Sequence, residues 1–302
     1  MTHNGAQPPD RARFAAIVGH ADDADMLVRC VRHHLAIGVD TVFVSLNRDE
    51  SESTRAVREL EHDDRVRAAR VESFAPDPFH FFTAAKDVVA AWTAPDWVLF
   101  VDSDEFWIPR SGRIQDTAGL EDTDLFDVPV LQAPPIRERD GTIRAFDADP
   151  ERTLIFGPQI VMNDAYLAQH PDATIVMNSE TKVLVRPAIV GEVGRGAHRI
   201  EPSVATPRRG VCTDLAILHL PFTTHERFRR KVERVRARLD AYGDRFAPGQ
   251  AWHWRRWLEL DDAGKLDEEF DRQAFDAERV PELLARGVLT TPADSFAGVA
   301  AR

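Results

Sequence analysis

The sequence predicts an α/β protein built on a mixed, mainly parallel sheet flanked by helices, with a helical extension at its C-terminal end. Three observations support this class: short apolar runs alternate with amphipathic segments, each run ends in polar residues, and the end of the chain has helical spacing. Such alternation is typical of a parallel sheet covered by helices on both faces. Ligands of these sheets bind outside the carboxyl ends of the strands.

The first elements follow this pattern closely. A first strand is predicted at 14–19, where an apolar run meets an acidic loop. Asp22 or Asp23 can cap the next helix, whose apolar residues lie three or four positions apart and which ends at Gly38. A second apolar run, at 41–46, predicts the second strand.

The next elements repeat the alternation. Ser51 or Ser53 can open a helix, and further elements are predicted as a strand at 66–71, a helix at 82–92 and a strand at 97–101. The loops after the first, second and fourth strands then converge on one edge of the sheet. We therefore expect a shared site at that edge.

The second half differs, because its apolar runs have no regular helices between them. The predicted strands lie at 125–130, 152–156, 181–185 and 215–220. A basic amphipathic helix is predicted at 224–242, and its charged side is either a solvated face or a phosphate-facing surface.

The tail carries three tryptophans within 252–257 and then short acidic segments. Such a segment is more typical of a helix packed onto the domain, or of a contact in a homo-oligomer, than of a sugar platform.

Composition restricts the class of partner. The chain has 302 residues, 43% apolar content and a net charge of −12, which argues against nucleic acid or an anionic membrane as the main partner. Cys30 and Cys212 match no metal spacing and are expected to be reduced thiols. No apolar stretch has the length of a transmembrane segment and the start lacks a signal core, so we expect a cytoplasmic protein. The richness in Arg and Ala is typical of a GC-rich bacterial genome.

The most informative segment follows the fourth predicted strand, where three carboxylates come directly after a buried run. Asp102, Asp104 and Glu105 place hard oxygen ligands where a divalent cation and a diphosphate can bind. An Asp-x-Asp after an apolar run also arises by chance, because many buried strands end in polar turns. The rest of the chain therefore has to support a metal site.

Several blocks resemble the family 2-like bacterial glycosyltransferases, which have the A-type glycosyltransferase (GT-A) fold. The central match is Asp-Trp-Val-Leu-Phe-Val-Asp-Ser-Asp-Glu-Phe at 96–106, which includes the family's Asp-x-Asp motif. Other matching blocks lie at 16–27, 30–40, 42–53, 182–187, 196–198 and 218–222. The resemblance implies a domain at 14–245, with a Rossmann-like nucleotide-sugar-binding half at 14–108, an acceptor half at 109–245, and a helical extension at 246–302.

The resemblance also implies a metal-dependent enzyme that moves a sugar from a nucleoside-diphosphate sugar to an acceptor hydroxyl. Asp104 should bind Mn²⁺ or Mg²⁺ directly, while Asp102 should contact the ribose or reach the metal through water, with Ser103 between them near the donor. His219 is expected to complete the metal shell or contact the diphosphate, with His198 as second choice. A hydrogen-bonded core histidine is the alternative for His219.

Transfer with inversion, which the resemblance implies, needs a carboxylate that removes the acceptor proton. Glu180 and Asp164 are the candidates by position, while Glu138 and Asp140 lie in a loop that is equally typical of a solvated turn. The family's signature for this base has no clear counterpart in the sequence, so retention stays an alternative.

Residues after the first two strands are candidates for binding the nucleotide, namely His20, Asp22, Asn47 and Asp49. Lys86 can meet a phosphate or be a surface lysine. The acceptor is expected to be a glycan, a lipid-linked sugar or a small molecule. The alternatives are a nucleotidyltransferase, a metal-dependent phosphohydrolase and a nucleotide-sugar binding protein without activity; the acidic loop after the first strand argues against a triphosphate cradle.

Overall fold

The computed structural model describes residues 11–20, 23–46, 51–75, 77–144, 152–157, 180–246 and 251–300. The chain divides into two compact units. The first consists of Met1–Pro129 with Thr181–Ile217, and the second of Val130–Glu180 with Leu218–Arg302. The predicted functional division at residues 108 and 245 stays a prediction.

Four parallel strands organise the first unit. They are β1 (Phe14–His20), β2 (Thr41–Leu46), β3 (Val66–Arg70) and β4 (Trp97–Asp102), and they lie in the order β3-β2-β1-β4. The three pairings are all parallel. The strands are rich in apolar and β-branched residues because they are covered on both faces.

Helices connect these strands as the sequence predicts: α1 (Ala24–Ala36), α2 (Ser51–Leu60), the short α3 (Val71–Phe74) and α4 (Phe81–Thr93). Asp23 caps α1 by accepting the backbone N–H of Met26 at 2.8 Å. The chain leaves α1 through Gly38 at a φ of 101°, a conformation that favours glycine.

The sheet continues beyond β4 with strands from later in the chain. β9 (Glu180–Val185) pairs antiparallel with β4, and the order continues through β6 (Leu125–Gln132), β13 (Leu215–His219) and β5 (Glu105–Pro109). β12 (Arg209–Val211) joins β6 in parallel. Within the described ranges this gives a nine-stranded mixed sheet, while β10 (Val190–Val193) and β11 (Ile200–Pro202) form a separate hairpin.

The hydrophobic core of the first unit lies between the sheet and α4. Its members come from six strands and from α4, and include Ile17, Phe43, Phe82, Val89, Phe100 and Val183. Packing of this apolar surface holds the carboxyl ends of β1, β2 and β4 in place.

The second unit is mainly helical in its described part. Its helices are α5 (His225–Tyr242), α6 (Trp252–Asp262), α7 (Leu266–Gln273), α8 (Val280–Ala285) and α9 (Pro292–Ala300). Two short strand pairs are also present: β14 (Phe275–Asp276) pairs in parallel with β7 (Ile136–Arg137), and β15 (Leu289–Thr290) pairs antiparallel with β8 (Ile155–Phe156).

An aromatic cluster forms the core of this second unit. Trp257 is 2% exposed and packs edge-to-face against Phe222 and Phe228, and Phe270 lies beside them. The Trp-rich tail is therefore a helix packed into its own unit, the first of the two structural interpretations.

The predicted fold class is confirmed, namely a mixed, mainly parallel sheet flanked by helices and followed by helical segments. Four predicted strands, at 14–19, 97–101, 125–130 and 181–185, are one or two residues longer in the structure, and three others extend too far. The strand predicted at 152–156 is limited to Ile155–Phe156, the strand at 66–71 ends at Arg70 because Val71 begins α3, and the strand at 215–220 ends at His219. β5 was not predicted. No described helix has both the length and the apolar character to cross a membrane.

Candidate active site

The acidic turn, which we define as Asp102 to Glu105, lies where buried backbone meets solvent. Residues 97–101 have no exposed surface, whereas the side chain of Asp102 is 45% exposed. Ser103 and Asp104 form the turn itself, and Glu105 begins β5 with a buried side chain. The turn therefore offers carboxylates of different exposure within a few residues.

The neighbouring strands end at the same edge. Gly19 of β1 is the parallel register partner of Asp102 in β4 and of Ser45 in β2. The carboxyl ends of β1, β2 and β4 consequently lie side by side. This confirms that the first, second and fourth strands converge on one edge.

Lys182 joins the carboxylates of the acidic turn. Its side chain has no exposed surface, and its Nζ lies 2.8 Å from Oδ2 of Asp102 and 2.6 Å from Oε2 of Glu105. The antiparallel pairing of β9 with β4 brings Lys182 back to the end of β4. One ammonium group therefore connects two of the three acidic side chains.

The charge of Lys182 is maintained despite its burial. Burial alone would lower the pKa of a lysine, but the carboxylates of Asp102 and Glu105 outweigh this effect and raise the pKa of Lys182 above its ordinary value. Oε2 of Glu105 also accepts the backbone N–H of Asp102 at 3.0 Å. The three residues form a hydrogen-bonded ion network, in which loss of one buried partner typically costs about 3–5 kcal/mol.

Helix α1 supports the strand that follows the acidic turn. Cys30 Sγ donates to the carbonyl oxygen of Glu105 at 3.6 Å, and His33 Nε2 donates to the carbonyl oxygen of Trp107 at 2.7 Å. Burial and then the nearby carboxylates raise the pKa of Cys30 well above its ordinary value. The thiol is therefore protonated and is not an active nucleophile.

The oxygen donors of the turn fit a Mg²⁺ or Mn²⁺ ion that is bound largely through a substrate. Asp102 has one oxygen on Lys182 and an exposed remainder, and Asp104 lies two residues further in the turn. Among the described residues, no group of three or more His, Cys, Asp and Glu side chains could hold a metal ion. A site of one or two carboxylates completed by phosphates and water needs no such group. The turn thus fits a metal–diphosphate complex better than a metal held by protein alone.

His198, the second choice as a metal ligand, lies in the first unit beside β9. Its Nδ1 donates to the carbonyl oxygen of Thr181 at 2.9 Å. Gly196, at a φ of 63°, leaves space for the ring, since a Cβ there would lie 2.7 Å from His198 Nε2. The imidazole is thereby hydrogen-bonded to Thr181, the residue that precedes Lys182 in the sequence.

His219, the first choice, ends β13 and belongs to the second unit. Its Nδ1 donates to Oε1 of Gln132 at 2.9 Å, and Gln132 is buried. Metal-binding histidines commonly have one ring nitrogen held in this way, which directs the other outward. The arrangement is compatible with both interpretations of His219, so its metal role stays a prediction.

Several predicted site residues are outside the described residues, namely the nucleotide-binding candidates Asp22, Asn47 and Asp49 and the base candidate Asp164. His20 is described only in its backbone, as the last residue of β1 and the register partner of Leu46. It therefore ends its strand beside β2, and its contact with a nucleotide stays a prediction.

The remaining candidates differ in their surroundings. Lys86 is 12% exposed, and its Nζ lies 2.7 Å from Oδ1 of Asp87 and 3.3 Å from the carbonyl oxygen of Val190, so it ties α4 to β10. Ser103 is buried in the turn. Glu180 is half-buried at the start of β9. A donor or base role for these residues stays a prediction.

The loop candidates for the catalytic base form a stabilised turn. Glu138 accepts from Nε of Arg144 at 2.7 Å. Asp140 accepts from both the hydroxyl and the backbone N–H of Thr142, and these hydrogen bonds lower its pKa. Both carboxylates therefore accept hydrogen bonds that stabilise the turn, which agrees with the interpretation of this loop as a turn.

The basic side of α5 is engaged by acidic residues of the neighbouring helices. Arg229 pairs with Asp267, and Arg236 pairs with Asp261 and Asp262. These ion pairs give part of the basic face a structural role that the sequence pattern alone did not indicate.

Lys182 and Glu105 are the residues whose roles the sequence reasoning missed. Lys182 entered only as the first residue of a matching block. A signal was present, because the whole chain has four lysines and this one stands inside the apolar strand Thr181-Lys182-Val183-Leu184-Val185. A lysine there must be paired to be buried.

No protein-family model and no curated protein matches this chain. The solved structures that match it are distant. TarS of S. aureus, residues 1–349, has 14% identity and a TM-score of 0.39 over 74% of this chain and 65% of that chain. HddC from Yersinia pseudotuberculosis has 11% identity and a TM-score of 0.37 over 69% of this chain and 95% of that chain.

A further match is glucosyl-3-phosphoglycerate synthase from Mycobacterium tuberculosis, in complex with Mn²⁺, UDP and glucosyl-3-phosphoglycerate. It has 14% identity and a TM-score of 0.33, and 63% of each chain is covered. This chain thus spans less than two thirds of the TarS fragment and of the synthase. Its function has to be inferred from the residues of its own site.

Proposed function

We propose that this chain is a glycosyltransferase that moves a sugar from a nucleoside-diphosphate sugar to an acceptor hydroxyl, with Mn²⁺ or Mg²⁺ at the acidic turn. The observation that carries the proposal is the position of Asp102 and Asp104 at the carboxyl end of β4, beside β1 in a parallel sheet. Ligands of such sheets bind at this edge. The sequence blocks that resemble family 2-like glycosyltransferases support the same assignment.

Within this proposal, Asp104 binds the metal directly and Asp102 contacts the ribose or a metal-bound water. The metal, when bound, stabilises the negative charge that develops on the departing diphosphate. Lys182 holds Asp102 by one oxygen, so that the exposed remainder of the carboxylate has a defined direction. Ser103 keeps the two aspartates two residues apart.

The ends of β1 and β2 supply the nucleotide contacts in this proposal. His20 ends β1 and Asp22 comes soon after it in the sequence, and Asn47 and Asp49 come soon after β2; both strands end at the edge that carries the acidic turn. Their imidazole, carboxylate and amide groups suit the hydroxyls and edges of a nucleoside. Lys86 is the proposed phosphate contact.

We assign the acceptor side to the later part of the chain. Glu180 or Asp164 removes the proton of the acceptor hydroxyl, which gives inversion at the sugar carbon. His219 contacts the metal or the diphosphate. The acceptor is a glycan, a lipid-linked sugar or a small molecule.

The experiment that tests the function is product analysis with UDP-, GDP- and dTDP-sugars, with and without Mn²⁺. The proposal expects Mn²⁺-dependent formation of the nucleoside diphosphate from at least one donor, and its loss in Asp104→Asn. Asp122→Asn, which removes an exposed carboxylate elsewhere in the same unit, is the matched control and should keep the rate.

Other products would contradict the proposal in distinct ways. Pyrophosphate formed from a nucleoside triphosphate and a sugar phosphate would indicate a nucleotidyltransferase, and inorganic phosphate would indicate a phosphohydrolase. Saturable donor binding without any product would indicate a nucleotide-sugar binding protein.

A further inference from the structure

We propose that Lys182 is a positioning residue that withholds one oxygen of Asp102 and the carboxylate of Glu105 from divalent cations at the acidic turn. The inference rests on the proposed function, because it concerns the metal of that site. It goes further by naming the side chain that keeps two of the three carboxylates from binding the metal directly.

The contacts of Lys182 support this separation. In the described part of the chain its Nζ pairs with Oδ2 of Asp102 and Oε2 of Glu105, at 2.8 and 2.6 Å. A cation bound by these same two oxygens would have to take the place of Nζ. The displaced ammonium would then be buried without its partners, which is strongly unfavourable.

The exposure of the three residues explains why the effect reaches the metal. Lys182 and Glu105 are buried, but Asp102 is 45% exposed, so the pair holds a carboxylate that also faces solvent. Because Oδ2 accepts a hydrogen bond from Lys182, Asp102 cannot offer both of its oxygens to one cation. It can still accept from a ribose hydroxyl or a metal-bound water through the rest of its carboxylate.

A charge-neutral exchange can separate geometry from simple electrostatics. Three carboxylates and one ammonium give the local site a formal charge of −2, and the double variant Lys182→Met with Glu105→Gln keeps −2, because one charge of each sign is removed. Methionine suits the buried position of the lysine stem, and the glutamine oxygen can still accept the N–H of Asp102. Asp102 is then released without a change in net charge.

The test is titration of the full-length protein with Mn²⁺ alone, by calorimetry and by the loss of the free Mn²⁺ electron paramagnetic resonance signal. The double variant should bind Mn²⁺ roughly tenfold more tightly than the wild type, because the freed Asp102 joins Asp104 as a direct ligand. Lys265→Met with Glu268→Gln makes the same replacements at exposed positions in the second unit, and should match the wild type.

Two single variants test the same assignment while Lys182 keeps its ion pair with Glu105. Asp104→Asn should remove Mn²⁺ binding in the wild-type background, whereas Asp102→Asn should weaken it by no more than about threefold. Equal loss in both variants, or a double variant within twofold of the wild type, would overturn the positioning role. If the wild type binds neither Mn²⁺ nor any nucleoside-diphosphate sugar, both this inference and the proposed function fail.

Discussion

The ammonium of Lys182 lies 2.8 Å from Oδ2 of Asp102, so a residue of β9 holds the carboxylate that ends β4. The two residues are 80 positions apart in the chain. The same lysine pairs with Glu105, so a side chain of β9 contacts both ends of the acidic turn. Changes at Lys182 are therefore expected to affect both the stability of the sheet and the geometry of the candidate site.

Replacing the buried lysine should destabilise the protein strongly. Lys182→Met should lower the free energy of unfolding by about 3–5 kcal/mol, because it removes the ammonium that pairs with the buried carboxylate of Glu105. Urea unfolding followed by circular dichroism measures the change. The exposed Lys265→Met should stay within about 0.5 kcal/mol of the wild type.

Removing both buried charges should recover most of that loss. The double variant Lys182→Met with Glu105→Gln has no unpaired buried charge, and a buried ion pair replaced by neutral groups is often close to neutral in stability. A double variant as unstable as Lys182→Met would show that the loss comes from packing and not from the charge.

Two histidines, the buried His34 and the half-buried His253, should make the fold sensitive to mild acid. Burial lowers the pKa of His34 to about 3 and that of His253 to about 4, against 6.5 in an unfolded chain. Below pH 6.5 the unfolded state therefore binds protons that the folded state does not bind. With respect to these histidines, the free energy of unfolding is therefore highest above pH 6.5. It decreases as the pH falls, by about 2 kcal/mol for each histidine at pH 5.

Urea unfolding at pH 7.5 and pH 5 measures this dependence. His34→Gln and His253→Gln should each reduce the difference in unfolding free energy between the two pH values. His62→Gln, at an exposed position, should leave the difference unchanged. An equal pH dependence in all three variants would mean that other groups cause the acid sensitivity.

His219 can be tested through the residue that orients it. Gln132 accepts from His219 Nδ1 at 2.9 Å, so Gln132→Leu should remove this hydrogen bond from the ring. If His219 binds the metal, His219→Ala should remove Mn²⁺-dependent donor affinity and Gln132→Leu should weaken it by roughly 10- to 100-fold. Unchanged donor affinity and rate in both variants would return His219 to the role of a structural histidine.

Local signals made the first half of the fold predictable. Three local signals place the ends of β1 and α1 to within a few residues: the apolar run that begins at Phe14, the capping residue Asp23 and the glycine Gly38. Both ends of β2 were predicted at the observed residues, because they coincide with the change from apolar to polar sequence. Such signals depend on neighbours in sequence and need no tertiary information.

The missed features depend on distant partners. β5, at Glu105–Pro109, follows the acidic turn without a glycine or proline before it, so it gave no separate strand signal. β8 is limited to Ile155–Phe156, where its partner is β15, more than a hundred residues later in the chain. The positions of Asp102 and Asp104 could be predicted from the end of β4, but the pairing of Asp102 with Lys182 could not.

The most direct test of the central claim is calorimetric titration of a nucleoside-diphosphate sugar into the wild type and Asp104→Asn, with and without Mn²⁺. We predict saturable binding by the wild type only when Mn²⁺ is present, no binding by Asp104→Asn, and cooperative thermal unfolding by both proteins. Equal donor affinity in the folded Asp104→Asn protein would contradict a metal-bound diphosphate at the acidic turn.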